Sequence, residues 1–331
     1  MKVTLKDIAE KSGYSISTVS RVLNGSGNIS TEVQKQIIKI AEELSYPFSK
    51  SKIPIYSSGS LHIALVTDFR EGEFYASFFY GFSVAARETN VQLSLIDVVD
   101  HEDHLIKTIN DLDEQIIDGL CLFMPEMNQE DYHNLLNNIV SDLPMVSNAM
   151  IQSPVVPTIT FDGYSGGHLA AEHFITKGYS SFGIVKGPFE KAESRFRYNG
   201  FKDYLAQSGY ELSWETTGDF MFDSGVNAYQ QYKELNNRPK AVFVTNDLMT
   251  KGFLEAAKND GLQVPKDLAL ISYDNTPMCR ESYPPITAVN TSFSELGKET
   301  FKVLKDIIAK KHTQNGTLSL IPVDLVERET A

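Results

Sequence analysis

The chain has few cysteines, few histidines and no long apolar runs. Its two cysteines among 331 residues, Cys121 and Cys279, are far apart. They form neither a disulfide framework nor a metal-ligand spacing, which fits a reducing cytoplasm. No stretch approaches the ~18 consecutive apolar residues of a membrane span. The first residues, Met1-Lys2-Val3-Thr4-Leu5-Lys6-Asp7, lack the apolar segment of a signal peptide. Positive charge is in deficit: 30 Lys and Arg face 43 Asp and Glu, a net −13. Taken over the whole chain, that disfavours nucleic-acid binding.

What is present changes that reading. Apolar residues make up 42% and charged residues 22% of the chain, an ordinary globular composition that excludes general disorder. The length fits about two domains. Charge is also uneven. Residues 1–60 hold eight Lys and Arg against five acids, a net +3, which leaves −16 on the remainder. Such asymmetry points to two jobs in one chain.

Three short amphipathic helices are expected in residues 4–45. The first is capped at Thr4 with Asp7 three residues on, and ends at Gly13. The second is capped at Ser15 and carries Val19, Val22 and Leu23 on one side. After the turn cluster Gly25-Ser26-Gly27-Asn28, a third starts at Ser30 or Thr31 and places Val33, Ile37, Ile40, Ala41 and Leu44 at helical spacing. This is the pattern of a helix-turn-helix. The front of the second helix, Ile16-Ser17-Thr18, can enter a major groove, where Ile16 suits a thymine methyl. Arg21 can fork onto a guanine, while Lys2, Lys6 and Lys35 suit phosphates.

Thr4-Leu5, Asp7-Ile8-Ala9, Gly13, Ser15, Thr18-Val19-Ser20-Arg21-Val22, Asn24, Ala41 to Leu44 and Tyr46 strongly resemble the N-terminus of the lactose/galactose repressor (LacI/GalR) family of transcription regulators. The resemblance implies base readout by Ile16, Ser17 and Arg21. It implies phosphate contacts from Thr4, Ser15, Thr18, Ser20 and Asn24. It departs in the next segment. The family follows the tyrosine with Pro-Asn and an Ala-Arg-x-Leu helix whose leucine wedges into the minor groove. Here Tyr46 is followed by Pro47-Phe48-Ser49-Lys50-Ser51-Lys52-Ile53-Pro54. Residues 47–60, with five Ser and two Pro, read as a linker in which Ile53, Ile55 or Tyr56 replaces the wedge or a plain tether serves.

From Leu61 strand-like runs alternate with amphipathic helices. The runs are 61–68, 91–98, 119–124, 144–148, 158–162, 182–187, 241–246, 268–274 and 287–291. This alternation implies parallel sheets, and so many strands imply two lobes with a ligand at the carboxyl ends. The expected organisation is a helical headpiece (1–46), a linker (47–60) and an α/β core (61–331). Lobe 1 takes about 61–160 plus 291–320, and lobe 2 about 161–290 plus 320–331.

The family resemblance extends into the core. It is carried by Gly166-Gly167, His173, Gly178-Tyr179, Gly187-Pro188, Ser194 to Phe201, Thr245-Asn246-Asp247, Tyr273-Asp274-Asn275 and Pro284 to Thr287. It implies a two-lobed core similar to periplasmic sugar-binding proteins. Sugar recognition needs planar polar groups and an aromatic face. Asn148, Asn246 and Asp274 end strands, and Arg197 offers a fixed donor fork. By resemblance Phe220 is a stacking ring, and Asp68, Phe74, Tyr75 and Phe79 lie where relatives contact ligand. Phe293 follows the last crossover. Asn148 stands where relatives usually have Asp, a change in the hydroxyl pattern preferred.

Other readings are weaker. Gly163-Tyr164-Ser165-Gly166-Gly167 matches G-x-S-x-G, with Asp274 and His312 in triad order. Yet His312 sits in a polar stretch and the Gly pair suits close packing. His101-Glu102-Asp103-His104 reads as a solvated helix start rather than a metal site. No cofactor and no enzymatic activity are expected. The expectation is a cytoplasmic, nucleoid-associated repressor of carbohydrate use. It pairs as a homodimer through its core, binds a pseudopalindromic DNA operator and is released by a small sugar-like effector, with no membrane partner. A corepressor-dependent regulator or a solute-binding protein are the alternatives.

Overall fold

A computed structural model of the chain describes residues 3–25, 29–44, 46–48, 61–69, 72–89, 91–98, 103–113, 117–141, 143–151, 153–310 and 316–331. The expected linker from residue 49 onward, the turn residues 26–28, Lys2, His101 and Glu102 of the histidine pair, and His312 lie outside them.

The headpiece holds helices α1 (Leu5–Ser12), α2 (Ile16–Leu23) and α3 (Thr31–Glu43). The Asp7 carboxylate accepts from both the Thr4 N–H and the Thr4 hydroxyl at 2.7 Å. These bonds hold its carboxyl below the ordinary range. Gly13 ends α1 with φ 75°, a left-handed residue suited to a glycine. Ser15 caps α2 by accepting from the Thr18 N–H at 3.1 Å. Ile8, Val19, Val22, Leu23, Ile37, Ile38 and Ala41 form the core, with Tyr46 and Phe48 against its rim. Lys11 pairs with Glu43 at 2.9 Å, tying α1 to α3.

Lobe 1 is built on a sheet in the order β11-β5-β4-β3-β1-β2. Its strands are β1 (His62–Thr67), β2 (Gln92–Asp97), β3 (Gly119–Phe123), β4 (Met145–Ser147), β5 (Thr158–Phe161) and β11 (Leu318–Ile321). All its pairings are parallel. Side chains alternate across it. Ala64, Val66, Leu120 and Leu122 face α5 (Asp103–Asp113) and α6 (Gln129–Asn138). Ile63, Leu65, Cys121 and Phe123 face α4 (Glu73–Arg87) and α12 (Phe293–Lys310). Helices α4 and α12 touch backbone to backbone: a Cβ on Gly81 would lie 1.9 Å from the Ser294 carbonyl oxygen, and one on Gly297 2.2 Å from that of Phe78.

Lobe 2 repeats the plan in the order β12-β10-β9-β8-β6-β7. Its strands are β6 (Phe182–Lys186), β7 (Leu212–Thr217), β8 (Ala241–Val244), β9 (Ala269–Asp274), β10 (Thr287–Asn290) and β12 (Asp324–Val326). One face carries α7 (Gly163–Thr176) and α8 (Ala192–Gln207), the other α9 (Phe222–Lys233) and α10 (Asp247–Asn259). A short helix α11 (Pro277–Glu281) follows β9. The chain passes between the sheets after β5, after β10 and after β11.

Three strands lie outside the nine expected runs: β7, β11 and β12. Each is at or next to a sheet edge with much exposed surface, so none needs the apolar run that marks a strand buried on both faces. The expected all-parallel arrangement also needs one correction. β12 runs antiparallel to β10, because the chain returns from lobe 1 at the opposite end of the sheet.

Candidate functional site

Two surfaces collect the candidate residues. On α2, Val19, Val22 and Leu23 are buried, which turns Ile16, Ser17, Ser20, Arg21 and Asn24 outward along one face. Ile16 is 48% exposed, unusual for a branched apolar side chain without a partner. The Ser15 hydroxyl lies 2.8 Å from those of Ser17 and Thr18, and Asn24 donates to Ser20 at 3.3 Å. Thr4 is exposed at the start of α1. The front of α2 is therefore a row of hydroxyls with an apolar tip at Ile16 and a guanidinium at Arg21.

The second surface lies where the carboxyl ends of the two sheets meet. Lys191, just before α8, pairs with Glu126, just after β3, at 2.5 Å. That contact joins the strand ends of lobe 2 to those of lobe 1.

Lobe 2 contributes a charged cluster. Arg197 Nη1 donates to the Thr245 carbonyl at 2.6 Å. Its Nη2 lies 3.6 Å from Asp274 Oδ1. The guanidinium stacks 3.8 Å from the centre of the buried Tyr273 ring and 5.9 Å from that of Phe220. Arg197 Nε is buried and makes no hydrogen bond within the chain among the described residues. Burial pushes the Asp274 carboxyl up to about 7, against the pull of Arg197. Phe220 adopts φ 69°, its carbonyl accepting from Asn246 Nδ2 at 2.8 Å. Its ring lies against Gly187, where a Cβ would sit 2.1 Å away. Asn246 also caps α10 through the Met249 N–H.

Lobe 1 contributes rings. Phe74 lies 4.7 Å from Phe293 and 5.0 Å from Phe123. Phe293 lies 5.5 Å from Phe161, and Phe79 lies 5.3 Å from the half-exposed Phe69. Tyr75 is buried beneath them, 5.4 Å from Phe123. Asp68 sits at the carboxyl end of β1. Asn148 is turned inward: Nδ2 donates to the Ile159 carbonyl (2.9 Å) and to Thr300 Oγ1 (2.8 Å), and Oδ1 accepts from the Cys121 thiol (3.4 Å).

The structure thus brings Arg197, Phe220, Asn246 and Asp274 into one cluster and Tyr75, Phe79 and Phe293 into another. Asn148 is engaged inside lobe 1. Sequence reasoning missed Tyr273 as the platform under Arg197 and Phe69 as an exposed ring. Tyr273 could have been read from its place beside Asp274 at the end of a buried strand. The G-x-S-x-G segment begins α7, where Asp162 caps the helix. Ser165 N–H and Oγ donate to its two carboxylate oxygens at 2.9 and 2.6 Å. Gly167 meets the backbone of α8, its Cβ position 2.1 Å from the Arg197 carbonyl oxygen.

Comparison with known proteins agrees with this layout. Residues 4–47 match the family described as bacterial regulatory proteins, lacI family, and residues 171–331 match a periplasmic binding protein-like domain. The ribose operon repressor of Escherichia coli (strain K12) is 29% identical over 99% of each chain. The HTH-type transcriptional repressor PurR of Photobacterium profundum is 28% identical over 99% of this chain and 98% of that one. A crystal structure of the lac repressor dimer bound to operator and the anti-inducer ONPF superposes with a TM-score of 0.73. It is 25% identical and covers 100% of this chain and 99% of that one. A complex of the transcriptional regulator CelR with cellobiose has a TM-score of 0.70 at 25% identity, over 99% of this chain and 100% of that one.

Proposed function

We propose how this chain works from one premise: it belongs to the lacI family of bacterial regulatory proteins. It is a transcriptional repressor with a DNA-binding headpiece and an effector-binding core. In our reading the α2 face enters the major groove. Ile16, Ser17 and Arg21 read bases, while Thr4, Ser15, Thr18, Ser20 and Asn24 hold phosphates. The chain works as a homodimer on a pseudopalindromic operator, acts in the cytoplasm on the nucleoid, and has no enzymatic activity. Exposed apolar side chains available for pairing include Leu93, Leu95 and Tyr80 on lobe 1, and Met221, Leu248 and Tyr283 on lobe 2.

The effector is a small neutral polyol, a sugar or glycoside, released from or taken into the cleft as the lobes open and close. The observation that carries this is the Arg197 fork, stacked on Tyr273 beside Asp274 and Phe220, with its Nε unused. Arg197 and Asp274 hold hydroxyls, Phe220 and the lobe 1 rings cover the apolar ring face, and Asp68 lies at the opposite wall. In this reading Asn148 and Asn246 shape the site instead of touching the ligand, since their amides bind the chain itself. Effector binding releases the operator, with a coupling of about 1–3 kcal/mol. The repressed genes serve carbohydrate use.

Selection of binding sites from a pool of random DNA duplexes tests the DNA half of this reading. The expected outcome is enrichment of a pseudopalindrome, lost in Arg21→Ala. Enrichment of no sequence would refute it.

A further inference from the structure

The C-terminal tail runs alongside the strands that carry the effector cluster. Asp324 to Val326 pair with Asn290 to Ala288. Farther on, the Arg328 N–H donates to Thr287 Oγ1 at 2.9 Å. The Thr330 hydroxyl donates to the Leu270 carbonyl at 2.7 Å and accepts from the Thr287 N–H at 2.8 Å. These bonds fasten the tail to β9 and β10.

The Arg328 side chain does something different. Its Nη1 donates to the Ile286 carbonyl at 2.6 Å, and its Nη2 donates to Asn275 Oδ1 at 2.7 Å. Asn275 has φ 62° and Asp274, just before it, φ 109°. Asn adopts the first of these angles more readily than most residues, whereas the angle of Asp274 is held only where the surroundings over-determine it. Both ends of the Asn275 amide are held from the tail side. Oδ1 takes Arg328, and Nδ2 donates to Asn290 Oδ1 (2.9 Å), whose own Nδ2 donates to Asp324 Oδ1 (2.8 Å). The neighbouring residues are fixed from within lobe 2. Thr291 donates twice to the Asp274 carbonyl, and Thr276 donates twice to Asp247 Oδ2. One arm of the Arg328 fork would suffice to staple the tail. The other reaches the left-handed residue beside the cluster, and only a planar guanidinium spans both.

We propose that Arg328 is a positioning residue for the effector site: from the C-terminal tail it holds Asn275 left-handed and so keeps Asp274 turned toward Arg197. It acts through Asn275 and contacts no effector. The inference rests on reading Asp274 as an effector-binding group.

The test needs no effector. Full-length protein is labelled with ¹³C at aspartate carboxyls, and the Asp274 signal is identified by its loss in Asp274→Asn. The titratable groups around it are Arg197, Asp247 and Glu193, with Tyr273 and Cys279 also close enough to interact, and none of them is substituted in the variants. In the wild type the signal should titrate at about 7. In Arg328→Ala the loop opens to water, and the titration falls by about one unit or more toward the ordinary carboxylate range. Thr330→Ala removes tail bonds without touching Asn275. It lowers the melting temperature and leaves the titration where it was. Should Arg328→Ala fail to fold, Arg328→Lys keeps the charge without the fork, and the midpoint falls by about half a unit. An unmoved midpoint in a folded Arg328 variant, or an equal fall in Thr330→Ala, overturns the proposal. A wrong assignment of Asp274 to the effector shows up separately, as unchanged effector affinity in Asp274→Asn.

Discussion

Lobe 1 and lobe 2 each fold around a six-stranded sheet with helices on both faces, but they bring different chemistry to the place where they meet. Lobe 1 offers rings, Phe69, Phe74, Phe79 and Phe293, while its strand-end amide, Asn148, is engaged with its own lobe. Lobe 2 offers charge, with Arg197 held over Tyr273 and beside Asp274. On the proposed reading, a common scaffold leaves one wall to exclude water and the other to recognise polar groups. On that reading, the asymmetry would let the cleft grip a polyol. Burying one face of a sugar ring against aromatics strengthens the hydrogen bonds made at its other edge.

The strongest way to break the comparison is to attack what the lobes share. Gly167→Ala drives a Cβ into the Arg197 carbonyl oxygen, and Gly297→Ala drives one into that of Phe78. Each should cost about 3 kcal/mol or more, since backbone cannot yield as a side chain does. Thermal unfolding should show one lobe loosened in each variant, and only Gly167→Ala should also displace Arg197.

Next comes the charged wall. Arg197→Ala should weaken effector binding by about a hundredfold, in line with the roughly 2–5 kcal/mol lost when one member of a buried charge pair is removed. Calorimetric titration with whichever sugar stabilises the wild-type core measures this. A loss under about threefold would move the effector elsewhere. By contrast Asn148→Ala should cost about 1–3 kcal/mol of stability by removing the donor to the Ile159 carbonyl and to Thr300 Oγ1, whose own bond to the Leu296 carbonyl remains. Effector affinity should change little. A large affinity loss with an unchanged melting temperature would return Asn148 to the effector wall.

The subtlest effect is on pH dependence. The folded core holds the Asp274 proton up to about 7, whereas the unfolded chain releases it near its ordinary value of 3.8. This contribution to stability is fully present below 3.8 and is lost as pH rises through about 7. The side chain keeps 19% of its surface exposed, so solvent moderates the effect. The melting temperature should decline over this interval in the wild type and decline less in Asp274→Asn. Binding of a polyol, which donates hydroxyls to the ionised carboxylate, should strengthen over the same interval.

The buried architecture could be read from the sequence because it leaves strong marks. β1, β3, β8 and β9 are apolar runs, and the headpiece caps at Thr4, Gly13 and Ser15 are visible as residue types. The edge strands β7, β11 and β12 were missed because half of each faces water. The site was partly visible. Arg197 and Asp274 stood out as charges near strand ends. The partners of Asn148 did not, since Thr300 lies 152 residues away and no local pattern announces that contact. Asn246 begins a helix and could have been recognised as its cap. The hold of Arg328 on Asn275 depends on a tail that returns along the sheet, which nothing local in the sequence encodes.

The uneven charge fits the same division of labour. A headpiece at +3 beside a core at −16 favours DNA contact through the headpiece over the core, which the phosphates repel. The most direct test is a mobility shift on the DNA selected by the wild type, with and without a sugar that stabilises its core. The wild type should bind and release on adding sugar. Arg21→Ala should lose the shift while its core is still stabilised by the sugar. Arg197→Ala should keep the shift and ignore the sugar. Normal release by sugar in Arg197→Ala, or an intact sequence-specific shift in Arg21→Ala, would contradict the assignment of reading to the headpiece and sensing to the cleft.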